Sequence, residues 1–168
     1  MKLKGHYSSR EVAALTGLTA RQLQWWDRRG VFPPSVPTHK TEAGGYTERR
    51  YTPIELLELM VLADLRRRGF TVGRIRRLLA ALRTRFKVRL FEAIEDGSAV
   101  TLFVDGDDIY ARTTTGEYFN LLENPRQPLL VLGQEPRLRR LTAREHGGRA
   151  KGPSAPVRRR PVRPAPGA

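Results

Sequence analysis

Helix-start signals recur through the first half of the chain and limit it to short, separately capped helices. The motifs SSRE, TARQ and TPIE, which begin at Ser8, Thr19 and Thr52, each place a hydroxyl three residues before a Glu or Gln. In such a capping box the hydroxyl accepts a hydrogen bond from a free backbone N–H, and the longer side chain accepts one from the cap residue. Because each motif precedes an apolar-periodic run, the pattern predicts three helices that start at these positions.

Glycines and a fourth hydroxyl set the remaining helix boundaries. The first helix is broken at Gly17, the second runs from about Ala20 to Arg29, the third from Pro53 to about Arg68, and a fourth starts near Thr71. Apolar residues three and four positions apart predict which faces turn toward the core. These are Val12 and Leu15 in the first helix, Ile54, Leu57, Val61 and Leu65 in the third, and Ile75, Leu78, Leu79 and Leu82 in the fourth.

The segment between the second and third helices, THKTEAGGYTERRY, predicts a small β-hairpin. Gly44 and Gly45 form a turn signal, and the flanking Thr, Tyr and basic residues tolerate an extended backbone. Two short helices that are joined by a glycine-containing turn and followed by a basic hairpin are typical of a winged helix-turn-helix.

The hydrophobic period changes after the fourth helix, so a different architecture is predicted there. VRLFEAIED indicates one more short helix, closed by Gly97, and the residues after it run apolar in short pieces separated by DGD, TTTG and ENPRQ. This pattern predicts three or four antiparallel strands in a compact meander. From about Gln134 prolines stand among arginines without apolar periodicity, and we expect disorder beyond about His146.

The predicted fold class is therefore α+β, with a winged helix-turn-helix, a small antiparallel β meander and a disordered basic tail in that order. We assign residues 1–86, 87–133 and 134–168 to these three units. Their charges differ: 17 basic and 7 acidic side chains (+10), then 4 and 8 (−4), then 10 and 2 (+8). The total of +14 favours a polyanionic partner, either nucleic acid or an acidic membrane surface, over a merely solvated basic surface.

Residue types that the chain lacks exclude several classes of protein. With 0 cysteines it has no disulfide, thiolate metal site, iron–sulfur cluster or cysteine nucleophile. The start MKLKGHYSSR lacks the apolar run of a secretory signal, and no stretch reaches the ~18 apolar residues of a membrane span. We therefore expect a soluble intracellular protein without a membrane partner.

No constellation of side chains predicts catalysis, a metal or a cofactor. His6, His39 and His146 lack the spacing of metal ligands, and DGDD at residues 105–108 lacks the spaced acids of a calcium loop. An Asp-Gly hairpin turn explains DGDD. Because neither a phosphate-loop glycine pattern nor a nucleophile elbow around a serine is present, we expect a protein that is not an enzyme.

The second helix carries both tryptophans, and a helical projection assigns them to different faces. Successive helical residues point about 100° apart, so Trp26 falls beside Leu23 on the apolar face and is predicted to lie in the core. Trp25 falls on the polar face, which is the face predicted to contact DNA and also carries Arg21, Gln24 and Arg28. Its ring either packs on the neighbouring wing or lies against a nucleic-acid backbone and offers its indole N–H to a phosphate.

Polar side chains at the start of this helix and on the wing are the other candidates for DNA contact. A recognition helix reaches base edges with its first turns, where arginine suits guanine and glutamine suits adenine; this chain has Arg21, Gln22 and Gln24 there. The wing residues either meet flanking phosphates, which adds affinity and salt sensitivity, or form an ordinary solvated surface. They are Lys40, Arg49 and Arg50.

The order of these features resembles the DNA-binding domain of the MerR family of bacterial transcriptional regulators. The resemblance rests on YSSREVAALTGLTARQLQWWDRRGVFPPS followed by GGYTERRYTPIELLELMVLADLRRRGFTVGRIRRLL, from Tyr7 to about Leu82. EVAALTG resembles the family's first helix, and an arginine followed by an aromatic pair and an acidic residue resembles its recognition helix. The resemblance implies that Arg21, Trp25 and Arg49 occupy DNA-contacting positions.

The same resemblance implies a sequence-specific regulator that binds double-stranded DNA as a homodimer on an inverted-repeat operator and distorts the promoter. It also implies a cytoplasmic, nucleoid-associated location. The β meander then serves self-association, ligand sensing or a protein partner, with RNA polymerase as one candidate.

Three features depart from the family pattern. The aromatic pair is Trp-Trp where tyrosines are usual, and residues 83–97 are too short for the family's long dimerising helix. The wing is a couple of residues longer, which leaves Arg49 and Arg50 as alternatives for the wing contact.

Two other functions stay open on the sequence alone. One is a DNA-located adaptor or antitoxin-like protein whose β meander binds another protein. The other is an architectural or recombination-directing factor that bends DNA without regulating a promoter. In the regulator hypothesis the basic tail adds non-specific attraction to phosphates.

Overall fold

The computed structural model describes residues 4–40, 47–95 and 97–129, in which helices and antiparallel strands are both present, as the α+β prediction requires. The elements of the first half are β1 (Tyr7–Ser8), α1 (Ser9–Thr16), α2 (Ala20–Arg28), β2 (His39–Lys40), β3 (Thr47–Glu48), β4 (Arg50–Tyr51), α3 (Pro53–Arg67) and α4 (Val72–Ala81). Those of the second half are a π-helical turn (Leu82–Phe86), α5 (Leu90–Ile94), β5 (Val100–Asp105), β6 (Asp108–Thr113), β7 (Tyr118–Asn120) and β8 (Asn124–Leu129). The tail predicted to be disordered, residues 134–168, lies outside the described residues.

All three predicted capping boxes are present. At α1, the Ser8 hydroxyl accepts from the Glu11 N–H at 3.3 Å, and the Glu11 carboxylate accepts from the Ser8 N–H at 2.9 Å. Helices α2 and α3 start in the same way at Thr19 and Thr52, whereas α4 has only the Thr71 hydroxyl, which accepts a backbone N–H at 3.3 Å. The free N–H groups at each start thus have local partners, which favours helix in these short segments.

Two small antiparallel sheets place the wing beside the first helices. Strand β1 pairs with β4 through Tyr7 and Tyr51, and β2 pairs with β3 through His39↔Glu48 and Lys40↔Thr47. The second pair is the predicted hairpin, so its strands are confirmed. The predicted Gly44-Gly45 turn falls in residues 41–46, outside the described part.

The inner side of α1 differs from the prediction at one position. Val12 is buried as predicted, but Leu15 is 50% exposed, so its assignment to the core is wrong. Thr16 takes the inner position one turn after Val12, because its hydroxyl donates to the Val12 carbonyl at 2.7 Å and therefore needs no water.

The inner side of α3 is also different from the one predicted. Ile54 and Leu57 are 40% and 45% exposed, Val61 is half-buried, and only Leu65 of the predicted stripe is buried. The segment LLELMVLADL is apolar on almost every side, so periodicity alone leaves two candidate faces. Packing selects the face that carries Leu56, Leu59, Leu62 and Ala63.

The prediction for α4 is largely confirmed. Ile75, Leu78 and Leu82 are buried, and Leu79 is partly buried against the same core. The helix therefore presents one apolar stripe to α3 and the residues around it, as its spacing of three and four positions predicts.

The predicted meander is confirmed as one antiparallel sheet with the strand order β5-β6-β7-β8. The DGDD turn joins the first two strands: Asp105 pairs with Asp108, and Gly106 has φ 57°. A positive φ suits glycine at the first position of a two-residue hairpin loop. Strand β8 carries Pro125 and Pro128 at the sheet edge, where a missing N–H is tolerated.

The meander and the helical half share one core. Buried side chains of α1 to α4 form a continuous cluster with Ile109, Phe119 and Leu121 of the meander. The π-helical turn after α4 contacts the meander directly, because the Phe86 and Phe119 rings pack edge to face with centroids 5.3 Å apart. The Arg85 guanidinium lies over both rings, at 5.5 and 5.2 Å. Among the described residues after α4 no helix exceeds five residues.

An ion pair between the buried Glu58 and the half-exposed Arg89 holds α5 against α3. Glu58 is 2% exposed, and its carboxylate accepts from Arg89 Nη2 at 2.7 Å and from the Phe91 backbone N–H at 3.1 Å. The hydrogen bond to Glu58 raises the pKa of Arg89. Removing Arg89 would leave a buried carboxylate without this cation, which is costly where water cannot reach it.

We expect Arg89→Ala to lower the free energy of unfolding by about 1–3 kcal/mol, because the buried Glu58 carboxylate loses its charged donor. Arg68→Ala is the matched control: Arg68 pairs with Asp64 at 2.8 Å, but both side chains are about half exposed, and such pairs contribute at most about 1 kcal/mol. Urea unfolding of both variants measures the difference. Equal losses of unfolding free energy in the two variants would show that the Glu58–Arg89 pair contributes no more than an exposed ion pair.

Tyr51, at the junction of the wing and α3, gives the fold a dependence on alkaline pH. Its side chain is 0% exposed, and desolvation raises the pKa of its phenol from 10.0 to about 12. Between these values the unfolded chain loses the phenolic proton while the folded chain keeps it, so stability falls as pH rises through the window.

We expect Tyr51→Phe to reduce the slope of unfolding free energy against pH in this window by about 1.4 kcal/mol per pH unit, since one linked proton disappears. Urea unfolding of the parent and the variant, below and inside the window, measures the slope. Parallel curves for the two proteins would show that Tyr51 keeps an ordinary pKa.

Candidate nucleic-acid interface

The rotation of α2 separates the two tryptophans as predicted. Leu23 and Trp26 are 1% and 2% exposed and anchor the helix in the core, whereas Trp25 is 44% exposed. Arg21 and Arg28 are exposed and Gln24 is half-buried on the outward side. This side therefore combines one large aromatic ring with fixed positive charge, a combination suited to a phosphate-lined groove.

The start of α2 adds further positive potential to this face. No acidic residue stands in its first turn, so nothing there neutralises the positive end of the helix dipole. The first residues of the helix, Arg21 and Gln22, are exposed. A helix end with this charge attracts anions, and phosphate is one of them.

Gln22 has a structural task that limits how it can read a base. Its side-chain oxygen accepts from the Thr19 N–H at 2.8 Å, while its own backbone N–H donates to the Thr19 hydroxyl at 3.0 Å. Bidentate recognition of adenine needs both the oxygen and the nitrogen of a glutamine amide. In this conformation the side-chain oxygen of Gln22 is held at the helix start, so Gln24 and Arg21 are the better candidates for base reading.

Trp25 stands between a cation and a shallow groove. The Arg29 guanidinium lies 5.5 Å from the centroid of the Trp25 ring, a cation–π contact that keeps positive charge beside the indole. The groove joins Trp25 to Arg21 and Gln22 on one side and to Arg66 and Val72 on the other. The α3–α4 corner, not only the wing, therefore borders the outward face of α2.

The wing residues predicted to meet phosphates are in three different situations. Arg49 Nε donates to Asp27 Oδ2 at 2.5 Å, and the two side chains are only 19% and 24% exposed. Arg50 makes a long ion pair with Glu48 at 3.7 Å, with 40% of each side chain exposed. Lys40 is exposed. Lys40 and Arg50 can extend to a phosphate, whereas Arg49 is engaged at the base of the wing.

The Asp27–Arg49 pair links the end of α2 to the wing. Asp27 lies in the last turn of α2, and Arg49 stands between β3 and β4. An ion pair of this kind, largely removed from water, sets the position of the wing relative to the helix. It also neutralises the one acidic residue of α2, so the outward face of that helix remains positive.

The α3–α4 corner holds basic residues that the sequence analysis did not assign to the interface. Arg66 lines the groove beside Trp25, and Arg76 Nη2 donates to the Arg29 carbonyl at 2.6 Å, which ties α4 to the end of α2. The signal was present in RRRGFTVGRIRR, where arginines crowd both sides of Gly69.

Neither a metal site nor a membrane span is found in the described ranges. Residues 4–40, 47–95 and 97–129 contain no group of His, Asp or Glu side chains arranged to hold a metal ion. None of the helices in these ranges is long and apolar enough to cross a bilayer.

Comparison with known proteins gives three results. Residues 7–82 match the model of the MerR HTH family of regulatory proteins. Uncharacterized HTH-type transcriptional regulators of Mycobacterium bovis and Mycobacterium tuberculosis are each 30% identical over 149 residues, which cover 87% of this chain and 61% of each relative. A solved MerR family transcriptional regulator from Bacillus cereus is 27% identical over 42% of this chain and 48% of its own, with a TM-score of 0.34. This chain thus spans less than two thirds of the length of the curated relatives.

The link between α2 and the wing is testable by a double-mutant cycle. We expect Asp27→Ala and Arg49→Ala each to destabilise the fold, and their effects to be coupled by about 0.5–3 kcal/mol because the residues share one interaction. Hydrogen exchange at β2 and β3 should quicken in either variant. Arg50→Ala, which removes the neighbouring but more exposed charge, is the control. Additive effects of Asp27→Ala and Arg49→Ala on the free energy of unfolding would show that this ion pair does not link α2 to the wing.

Proposed function

Residues 7–82 of this chain belong to the MerR HTH family, and on that basis we propose that the protein is a sequence-specific transcriptional regulator that binds double-stranded DNA. The observation that carries the proposal is the outward face of α2. It presents Arg21, Trp25 and Arg28 to solvent while Leu23 and Trp26 hold the helix in the core. A helix so placed, next to a basic wing, fits the major groove of B-DNA.

The geometry of the interface supports a different proposed role for each of these residues. Arg21 and Gln24 read base edges, and the exposed Lys40 and Arg50 meet phosphates beside the groove. Trp25 lies against the backbone with its indole N–H as donor. Arg49 contributes through Asp27, by holding the wing in place, and any phosphate contact uses the part of its guanidinium that the ion pair leaves free.

The assembly that we propose is a homodimer on an inverted-repeat operator, since one short recognition helix reads too few base pairs for a specific site. The described part after α4 has no long helix, so the two copies pair through another surface or through residues outside the described ranges. Deformation of the promoter is the proposed mechanism of regulation. The protein then acts on the nucleoid, in the bacterial cytoplasm, as a non-enzymatic factor.

The meander is proposed to serve association, either with a second copy, with a ligand or with a protein such as RNA polymerase. Its acidic balance and its place in the same core as the helices support a role that is distinct from DNA contact. Whatever binds it can act on the DNA-binding half through one shared core, without a flexible linker between the two.

Base reading and phosphate contact are separable by two substitutions. We expect Arg21→Ala to cost about 1–3 kcal/mol on the preferred site and to relax base preference, because a bidentate contact to guanine is lost. Arg50→Ala should weaken all sites alike and lower the salt slope of log K by about one unit. Fluorescence anisotropy with specific and random duplexes at several salt concentrations measures both quantities.

Arg126→Ala removes one exposed arginine of β8 and serves as the charge-matched control. It should leave base preference unchanged. If Arg21→Ala and Arg50→Ala shift specificity and salt dependence to the same extent, the assignment of reading to the helix and of anchoring to the wing is wrong.

Sequencing of genomic fragments bound by the full chain tests the function as a whole. We expect the fragments to share one motif with inverted-repeat symmetry, close to promoters. Peaks without a common motif would reject sequence-specific regulation and leave an architectural DNA-bending factor, and a shared motif without symmetry would reject the dimer.

A further inference from the structure

The C-terminal end of α2 is capped by a side chain from another helix. The last carbonyl groups of a helix lack a donor within the helix and need one from elsewhere. At the end of α2 the Arg29 carbonyl accepts from Arg76 Nη2 of α4 at 2.6 Å, across 47 residues of sequence. The donor is a cation at the negative end of the helix dipole, so the electrostatic attraction adds to the hydrogen bond. Arg76 therefore acts as a charged cap on α2.

Arg29 connects this cap to the exposed tryptophan. Its guanidinium lies 5.5 Å from the centroid of the Trp25 ring, and its N–H donates to the Trp25 carbonyl at 3.0 Å. With its N–H and its carbonyl both bonded, the Arg29 backbone is fixed, and the cation–π contact then costs less conformational entropy. Trp25 is 44% exposed, so core packing restrains its ring only in part. The Arg29 side chain supplies a further restraint.

The same bond ties together two walls of the groove beside Trp25. Arg66 and Val72 of the α3–α4 corner line this groove together with the indole ring. Arg66 is held at the corner, because its Nη1 donates to the Phe70 carbonyl at 2.7 Å. Val72 is the first residue of α4 and lies one helical turn before Arg76. The bond from Arg76 to α2 thus holds the start of α4 beside the tryptophan.

We propose that Arg76 is a positioning residue for the DNA contact of Trp25. It caps α2 and, through Arg29, holds the indole ring in the orientation that meets the DNA backbone. The proposal rests on the proposed function, which assigns that contact to Trp25. Arg76 itself binds neither base nor phosphate in this arrangement, because its guanidinium is engaged by the Arg29 carbonyl.

Fluorine NMR of the free full chain, labelled with 5-fluorotryptophan, tests the positioning without DNA. The chain has two tryptophans, and Trp25→Phe assigns the two resonances. We expect Arg76→Ala to shift the Trp25 resonance and to leave that of Trp26 in place, because only the outer ring loses a restraint. Arg76→Lys keeps a cationic donor for the carbonyl and should restore the parent spectrum.

Arg77→Ala is the matched control for both experiments. Arg77 is the next residue of α4, is exposed and carries the same charge. Its removal should shift neither tryptophan resonance, and it measures how much DNA affinity falls when α4 merely loses one positive charge.

Fluorescence anisotropy with the duplex that the parent chain prefers tests the role in binding. We expect Arg76→Ala to weaken binding about tenfold, the effect of one lost hydrogen bond to a charged group. In a Trp25→Ala background the same substitution should cause no further loss, because both residues act through one contact. The salt slope of log K should fall no more than in Arg77→Ala.

An unchanged Trp25 resonance in Arg76→Ala would overturn the proposal. Equal shifts of both tryptophan resonances would also overturn it, since they would show a general repacking of α2. Additive losses of affinity, or a salt slope about one unit lower than that of Arg77→Ala, would show that Arg76 binds a phosphate directly. If the parent chain prefers no duplex, the proposed function fails, and the fluorine spectra alone decide whether Arg76 positions Trp25.

Discussion

The burial of Leu23 and Trp26 is the packing interaction on which the candidate interface depends. It fixes the rotation of α2 about its own axis, and with it the direction in which Arg21, Trp25 and Arg28 point. Helix α2 spans only nine residues, too few to be stable alone. The capping box at Thr19 therefore starts the helix, and the two buried side chains hold it in a useful orientation.

A second layer of contacts places neighbouring elements around that helix. The Asp27–Arg49 pair sets the wing, and the Arg76 contact to the Arg29 carbonyl sets α4. The first interaction uses the Asp27 carboxylate and the second uses the Arg29 backbone carbonyl. Neither uses Arg21 or Arg28, which stay exposed on the outward face of α2. The proposed DNA-binding surface is thus assembled from three separate parts of the chain.

The meander extends the same core instead of forming a separate body. Phe86 and Phe119 meet at the π-helical turn, and Glu58 with Arg89 holds α5 on α3. The meander and helices α3 and α4 therefore share one close-packed core. Coupling through a close-packed core is short-ranged and stiff, which suits a proposed regulator of this size.

Local features of this protein could be predicted from the sequence because they depend on neighbours along the chain. Capping at Ser8, Thr19 and Thr52, the turn at Gly106 and the separation of Trp25 from Trp26 all follow from spacing and backbone preference. The choice between two apolar faces of α3, the inner position of Thr16 and the role of Arg49 could not be predicted this way. Each depends on a segment distant in sequence: the elements packed on α3, α3 itself where it covers the inner side of α1, and Asp27, which lies 22 residues from Arg49. The sequence by itself determined where the helices begin, that short antiparallel strands follow them, and how charge is distributed along the chain. The tertiary structure decided which side chains are buried and which charged side chains form ion pairs, because both depend on contacts between segments that are remote in sequence.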